Sequence, residues 1–151
     1  MSRLSRKKFY ENEKRLQAFA LLMKIDLIEI SFNGEGDSGS IEEVTVRSGG
    51  RDFDTGIQIK VWVPGSKEFD HSKKAWVTSK EEEKLITLND FLQQHVYEAL
   101  EKTDVDWYNK DGGFGSWIWQ PSVGLDFEVN RRFISEELAH TESRPLGVES
   151  A

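Results

Sequence analysis

The stretch TLNDFLQQHVYEALEK, residues 87–102, carries the strongest secondary-structure signal in the chain. Thr87 can cap a helix, and Asp90 follows three residues later as in a variant of the capping box. One helical face then recurs at the i, i+3, i+4, i+7 spacing, at Leu88, Phe91, Leu92, His95, Val96, Ala99 and Leu100. Burial of each large apolar side chain contributes about 1.5–3 kcal/mol. The sequence therefore predicts a helix over residues 88–102 whose apolar face lies against a sheet.

Alternating apolar and polar residues on both sides of this helix predict strands. Three precede the helix, at residues 27–32, 41–47 and 57–63, and two follow it, at residues 117–119 and 125–129. A short strand at residues 75–78 is a further possibility, whereas the charged run at residues 80–84 is expected to be a solvated loop. Ser5 can cap a first helix over residues 5–24, with basic residues on its outer face.

The predicted order of elements is α-β-β-β-α-β-β. Short links between successive strands favour antiparallel pairing, with both helices covering one face of the sheet. The sequence therefore predicts an α+β fold in a single domain over residues 1–135. Residues 136–151 are polar and contain Pro145 and Gly147, so a flexible tail is expected there.

Composition narrows the function classes. The net charge of −7 argues against direct nucleic-acid binding, which relies on clusters of Lys and Arg, and suits a partner protein with a basic surface. The chain has no cysteine, and no apolar run follows the basic residues near the start. We therefore expect a cytoplasmic protein with no disulfide, secretion signal or membrane span. The sequence specifies no oligomeric state.

Three ordered motifs carry a resemblance to a known family. They are Gly34-Glu-Gly36-Asp37-Ser38-Gly39-Ser-Ile41-Glu42, Trp107-Tyr-Asn109-Lys-Asp111-Gly112-Gly-Phe-Gly115 and Asn130-Arg-Arg132-Phe133. Over roughly residues 27–133 the chain resembles a bacterial and phage domain family of unknown function. The resemblance implies a shared fold and a setting in phages or mobile elements, but no known chemistry.

The two glycine-rich loops form the first candidate site. If they lie together, their polar and aromatic residues could bind a small ligand or a hard cation through several oxygen atoms. The candidate residues are Asp37, Ser38, Glu42, Trp107, Asn109 and Asp111. The alternative is that the Asp and Asn side chains cap their own turns while the glycines supply positive φ. Neither loop fits the EF-hand pattern, so we assign no metal and no cofactor.

The sequence also raises two catalytic hypotheses, a serine protease and a magnesium-dependent nuclease. The serine of Gly36-Asp37-Ser38-Gly39 would need a positioned base, and the three histidines, His71, His95 and His140, lack suitable spacing for catalysis or for a metal. A magnesium-dependent nuclease could use Gln58-x-Lys60, with carboxylates from Glu42, Glu43 or Asp54. Gln58 and Lys60 fit equally well as the solvent-facing side of a strand. We therefore assign no catalytic residue.

Aromatic residues give the second candidate site. If one face of the sheet has no helix over it, Trp62, Trp117 and Trp119 would be exposed there and could anchor a protein interface. The alternative is that these side chains fill the core. With an acidic surface and no catalytic constellation, the sequence favours a non-enzymatic accessory factor that binds another protein. Together with the resemblance, this suggests a phage or mobile-element inhibitor of a host defence protein.

Overall fold

Six antiparallel strands form the main sheet of the molecule. The computed structural model describes residues 4–35, 38–65, 67–78, 80–103, 113–131 and 137–149. Within them lie the helices α1 (Arg6–Leu22) and α2 (Leu88–Lys102). The strands are β1 (Leu27–Glu35), β2 (Ser38–Ser48), β3 (Arg51–Asp52), β4 (Gln58–Val63), β5 (Lys67–Asp70), β6 (Ala75–Thr78), β7 (Glu82–Thr87), β8 (Gly113–Gln120), β9 (Gly124–Arg131) and β10 (Glu137–Arg144). The strand order of the main sheet is β10-β9-β8-β1-β2-β3, and the predicted α+β class is confirmed.

The inner face of the main sheet carries the core. Ile28 and Ile30 on β1 are buried and lie opposite Trp119 and Trp117 on β8, and the same side continues onto Phe127 of β9. Cross-strand partners project from the same face of a sheet. The apolar residues of the central strands therefore form one continuous surface beneath the helices.

Both helices lie on this inner face. His95 of α2 packs its ring edge-to-face against Trp117, with the ring centroids 5.9 Å apart. Glu13 of α1 contacts Arg144, which lies opposite Leu125 in register and so projects from the same side. The arrangement agrees with the expectation that one face of the sheet carries both helices.

The ends of the helices follow from local chemistry. Thr87 Oγ1 accepts a hydrogen bond from the backbone N–H of Asp90 at 3.1 Å, as the capping pattern predicts. Ser5 caps α1 in the same way through the N–H of Lys8. The backbone N–H of Leu88 donates to the carbonyl of Ile57, which satisfies one further amide of the first turn of α2. In the described part of the chain, neither helix is long and apolar enough to cross a membrane.

The third predicted strand lies outside the main sheet. Among the described residues, β4 pairs only with β7, from Gln58 opposite Thr87 to Val63 opposite Glu82. The prediction of a loop over residues 80–84 is therefore wrong for Glu82–Lys84. Most β7 side chains are exposed, so the sequence of this segment lacks the apolar-polar alternation of a half-buried strand. The segment is a strand because its backbone pairs with β4.

The C-terminal segment also differs from expectation. Residues 137–144 form β10, which pairs with β9 along its length, and Leu146 is buried in the core. The prediction of a flexible tail is therefore wrong for this strand. The inward side of β10 carries Glu142 and Arg144 in place of apolar residues, and ion pairs satisfy those charges. A polar strand of this kind has no apolar alternation for the sequence to reveal.

Candidate functional site

The motifs of the sequence meet at one end of the main sheet. A single register row crosses five strands there, through Gly39, Gly34, Gly113, Arg131 and Glu137. Gly34 and Gly39 belong to the first motif, Gly113 to the second and Arg131 to the third. The described flanks of all three motifs therefore share a common rim.

Most of the predicted loop site falls outside the described residues. Asp37, Trp107, Asn109 and Asp111 all lie there, so the site they were predicted to form stays a prediction. Ser38 begins β2. Glu42 is exposed on the same strand, and its Oε1 accepts a hydrogen bond from Asn33 Nδ2 at 3.2 Å.

Gly115, the last glycine of the second motif, has a structural role. A Cβ atom at this position would overlap the backbone carbonyl oxygen of Glu128 on β9 and lie 2.8 Å from Phe32 Cζ. Strands β8 and β9 can approach to this distance because residue 115 has no side chain. Packing therefore explains this part of the motif without any ligand.

Two of the predicted interface tryptophans are buried. Trp117 and Trp119 lie on the inner face, where the helices cover them, so the prediction that they are exposed is wrong. Trp62 on β4 is half-buried, with the ammonium group of Lys8 3.4 Å from the centre of its ring. Alternation along β8 places its two indoles on one face, and the helices lie over that face.

Two exposed aromatic side chains lie instead on a hairpin formed by β5 and β6, which we call the aromatic arm (Lys67–Thr78). Trp76 is 71% exposed and Phe69 is 40% exposed. The two residues are cross-strand partners, with ring centroids 5.6 Å apart, and the ring of His71 lies 5.0 Å from Phe69. In the described structure, β5 and β6 form a two-stranded sheet of their own. The arm therefore presents an aromatic face to solvent.

The turn of the arm is fixed by hydrogen bonds. Asp70 Oδ1 accepts from Ser72 Oγ at 2.6 Å and from the backbone N–H groups of Ser72 and Lys73. These bonds, with that from the Ser72 hydroxyl foremost, hold the pKa of Asp70 below its usual range. A turn with such capping keeps Phe69 and Trp76 in register opposite one another.

Sequence reasoning did not select Trp76 as a site residue. The available signal was a tryptophan in a strongly charged segment, two residues after Lys73-Lys74, with few apolar neighbours to bury it. A large aromatic residue that lacks apolar neighbours in its own segment is a candidate for exposure.

The outer face of the main sheet is acidic. Glu29, Glu43, Asp126 and Glu128 are exposed there, and small polar residues such as Ser116 lie between them in register. Both helices lie on the opposite face. This surface accounts for part of the net negative charge and is complementary to a basic protein surface.

A buried ionic cluster joins the helices to β10. Glu13 accepts hydrogen bonds from His95 Nε2 at 2.9 Å, from Arg144 Nη1 at 2.8 Å and from the backbone N–H of Gly147 at 3.1 Å. Burial alone would raise the pKa of Glu13, but the bonds and charges of His95 and Arg144 lower it to about 2. The carboxylate is saturated by protein donors, so the cluster stabilises the fold and offers no open position to a ligand.

The residues of the nuclease hypothesis do not share a sheet. Gln58 and Lys60 are exposed on β4, which pairs with β7, whereas Glu42 and Glu43 lie on β2 of the main sheet. Asp54 accepts a hydrogen bond from the backbone N–H of Gly56 at 2.9 Å. Among the described residues, no group of three His, Asp or Glu side chains could hold a metal ion.

Comparison with known protein families places the chain in a family. The model of a family of unknown function, DUF6878, matches residues 9–142. This match is wider than the segment that carries the three motifs, because it includes most of α1 and of β10. No curated protein and no solved structure matches the chain.

Proposed function

The chain belongs to DUF6878, a family of unknown function, and we propose that it is a non-enzymatic accessory factor that binds another protein. The observation that carries this proposal is the exposure of the aromatic pair Phe69 and Trp76 on the aromatic arm. Exposed tryptophan side chains that enter a pocket on a partner are typical energetic anchors of protein interfaces. The arm would insert this pair into an apolar pocket on the partner.

The acidic outer face supports a second contact with the same partner. Its exposed carboxylates, among them Glu29 and Glu128, would steer a basic surface and increase the rate of association. This contribution would weaken with salt, because exposed charges are screened over about 8 Å at physiological ionic strength. The aromatic arm then supplies most of the affinity, and the acidic face favours a partner with a basic surface.

We also propose a biological setting. The protein would act in the cytoplasm as a phage or mobile-element factor that inhibits a host defence protein, a role that suits a small interaction module. The resemblance of the three motifs supports the setting, and the lack of cysteine supports the location.

The test measures how much of one captured partner protein is retained by the wild-type protein and by matched variants. The wild-type protein, immobilised, should capture a host protein that Trp76→Ala and the double variant Phe69→Ala/Trp76→Ala lose. Val123→Ala is the control, because Val123 is 70% exposed on a β-turn between β8 and β9, outside the arm. The proposal is wrong if the double variant retains the partner as well as the control does, or if lysates of several hosts yield no partner.

A small-ligand or cation site at the Asp37 and Asp111 loops is a second candidate function. The register row through Gly34, Gly39 and Gly113 favours it, because the flanks of both loops meet there. A ligand that binds the folded state raises the melting temperature by mass action. Thermal-shift screening with Ca²⁺, nucleotides and sugars tests it. A flat response for every compound would remove this candidate.

A further inference from the structure

Two adjoining cavities share Arg6, Tyr10 and Glu149 in their walls. The larger has a volume of about 630 Å³ and is also lined by Lys7 and Lys14. The smaller has a volume of about 350 Å³ and is also lined by Lys102 and Glu142. We call the two cavities together the Tyr10 groove. It lies between α1, the end of α2 and the segment that follows β10.

The Tyr10 groove is rich in cations although the protein is acidic overall. Arg6, Lys7, Lys14 and Lys102 line it. Two of its carboxylates have other partners, because Glu142 binds Arg144 and Glu11 lies 3.6 Å from Arg15. Among the described residues, Lys7 and Lys14 form no ion pair with a carboxylate. Lys102 pairs with Glu98 at 3.5 Å, so Glu149 is the groove-lining carboxylate that forms an ion pair with one of the groove's own cations, Arg6.

The side chain of Glu149 can leave this position at little cost. Its ion pair with Arg6 is solvent-exposed, with the two side chains 44% and 69% accessible, and exposed ion pairs contribute little to stability. The preceding residues are held separately, since Leu146 is buried and the backbone N–H of Gly147 donates to Glu13. Departure of the Glu149 carboxylate would therefore leave the fold intact and join the two cavities.

We propose that the Tyr10 groove binds an acidic peptide segment of a partner protein, whose carboxylate replaces that of Glu149 on Arg6. The occupant already seated there is a carboxylate on a peptide chain, so the groove fits this chemistry. Lys7 and Lys14 supply further charges for neighbouring acidic residues, and the Tyr10 ring offers an apolar wall. This surface is distinct from the aromatic arm, and its test does not depend on the arm.

Hexaglutamate is a suitable probe, and its affinity is measured by calorimetry at low ionic strength. Glu149→Gln should tighten binding about fivefold relative to wild type, because it removes the internal competitor. Adding Arg6→Gln to that variant should abolish the gain. The matched controls are Asp52→Asn and Arg47→Gln, which remove the same charges from an exposed ion pair on the main sheet. Neither control should change the affinity by more than about twofold.

Three results would overturn the assignment. The first is an affinity of Glu149→Gln that is no tighter than that of Asp52→Asn, since the change in net charge alone would then explain the binding. The second is binding that persists unchanged when Arg6→Gln is added. The third is a single-stranded oligonucleotide that binds the Glu149→Gln variant more tightly than hexaglutamate does, which would assign the groove to nucleic acid. Unchanged melting temperatures confirm that all variants are folded.

Discussion

Glu13 on α1 and Arg144 at the end of β10 are 131 positions apart in the chain, yet Arg144 Nη1 lies 2.8 Å from Glu13 Oε1. Both side chains are almost completely buried. Arg144 also binds Glu142 and the carbonyl of Val148. The pair therefore fastens the last strand and the segment after it to the first helix, across the inner face of the main sheet.

Glu13→Gln should destabilise the protein by about 3–5 kcal/mol, because removal of one partner leaves the charge of Arg144 buried without full compensation. Urea denaturation followed by circular dichroism measures the loss. Glu29→Gln, which makes the same chemical change at an exposed position, should stay within about 0.5 kcal/mol of wild type. Equal stability of the two variants would show that the buried pair contributes nothing.

Because the pKa of the Glu13 carboxylate is lowered in the folded protein, we expect the protein to lose stability in acid. Burial alone would raise the pKa of Glu13, but His95 and Arg144 lower it from about 4.5 to about 2 in the folded protein. A group whose folded pKa is depressed stabilises the fold above its unfolded pKa, and the contribution is lost as pH falls toward the folded value. The contribution of Glu13, about 3 kcal/mol by this shift, should decline between pH 4.5 and pH 2.

Unfolding free energies of wild type and Glu13→Gln, measured at intervals from pH 6 to pH 3, check this window. Wild type should lose stability more steeply than Glu13→Gln below pH 4.5. If the difference between them stays constant down to pH 3, Glu13 does not carry the shift.

Periodicity determines how much of the fold the sequence predicts. Helix α2 and strands β1, β2, β4, β8 and β9 have one apolar side and one polar side, so each was predicted near its observed position. Strands β7 and β10 were missed because charged or exposed side chains replace the apolar side. Their pairing with β4 and β9 depends on hydrogen bonds to segments distant in sequence, which no local pattern records.

The candidate sites were less predictable, for a related reason. Alternation shows that Trp117 and Trp119 share a face but does not show that the helices lie over that face. The register row through Gly34 and Gly113 brings the flanks of the two glycine-rich segments to one rim, which the sequence left open. The cluster of Glu13, His95 and Arg144 joins three distant segments, so no sequence spacing could indicate it.

Gly115→Ala should destabilise the protein by at least about 2 kcal/mol, because the new methyl group would meet the backbone carbonyl of Glu128, which cannot move without disturbing β9. Thermal and urea denaturation measure the effect. The control is Gly56→Ala, where the new methyl group would lie 3.1 Å from Asp54 Oδ1, an atom at the end of a side chain that can rotate away. A loss for Gly115→Ala no greater than that for Gly56→Ala would contradict the packing argument.

Asn12 on α1 connects the helix to β4 through the backbone of a single residue. Its Nδ2 donates to the carbonyl of Trp62 at 2.9 Å, and its Oδ1 accepts from the N–H of Trp62 at 2.8 Å. Asn12→Ala leaves both backbone groups without these partners, and each unpaired buried group costs about 1–3 kcal/mol. We therefore expect a loss of at least about 2 kcal/mol by urea denaturation.

Asn12→Asp is the informative companion, since it keeps an acceptor for the N–H of Trp62 but has no donor for the carbonyl. Its carboxylate would also face that carbonyl without a proton to donate, so the variant should remain well below wild type in stability. Wild-type stability in either variant would mean that the amide bridge does not couple α1 to β4.

The two tryptophans Trp76 and Trp117 should behave oppositely when each is replaced by alanine. Trp117→Ala opens a cavity beneath α2 and should cost about 3–5 kcal/mol. Trp76→Ala removes an exposed side chain and should change stability by no more than about 0.5 kcal/mol. Acrylamide quenching of the fluorescence gives an independent measure, because loss of the exposed indole should reduce the quenchable fraction. If Trp76→Ala unfolds the protein, or leaves quenching unchanged, the indole is not free in solution and the aromatic arm has no anchor to offer a partner.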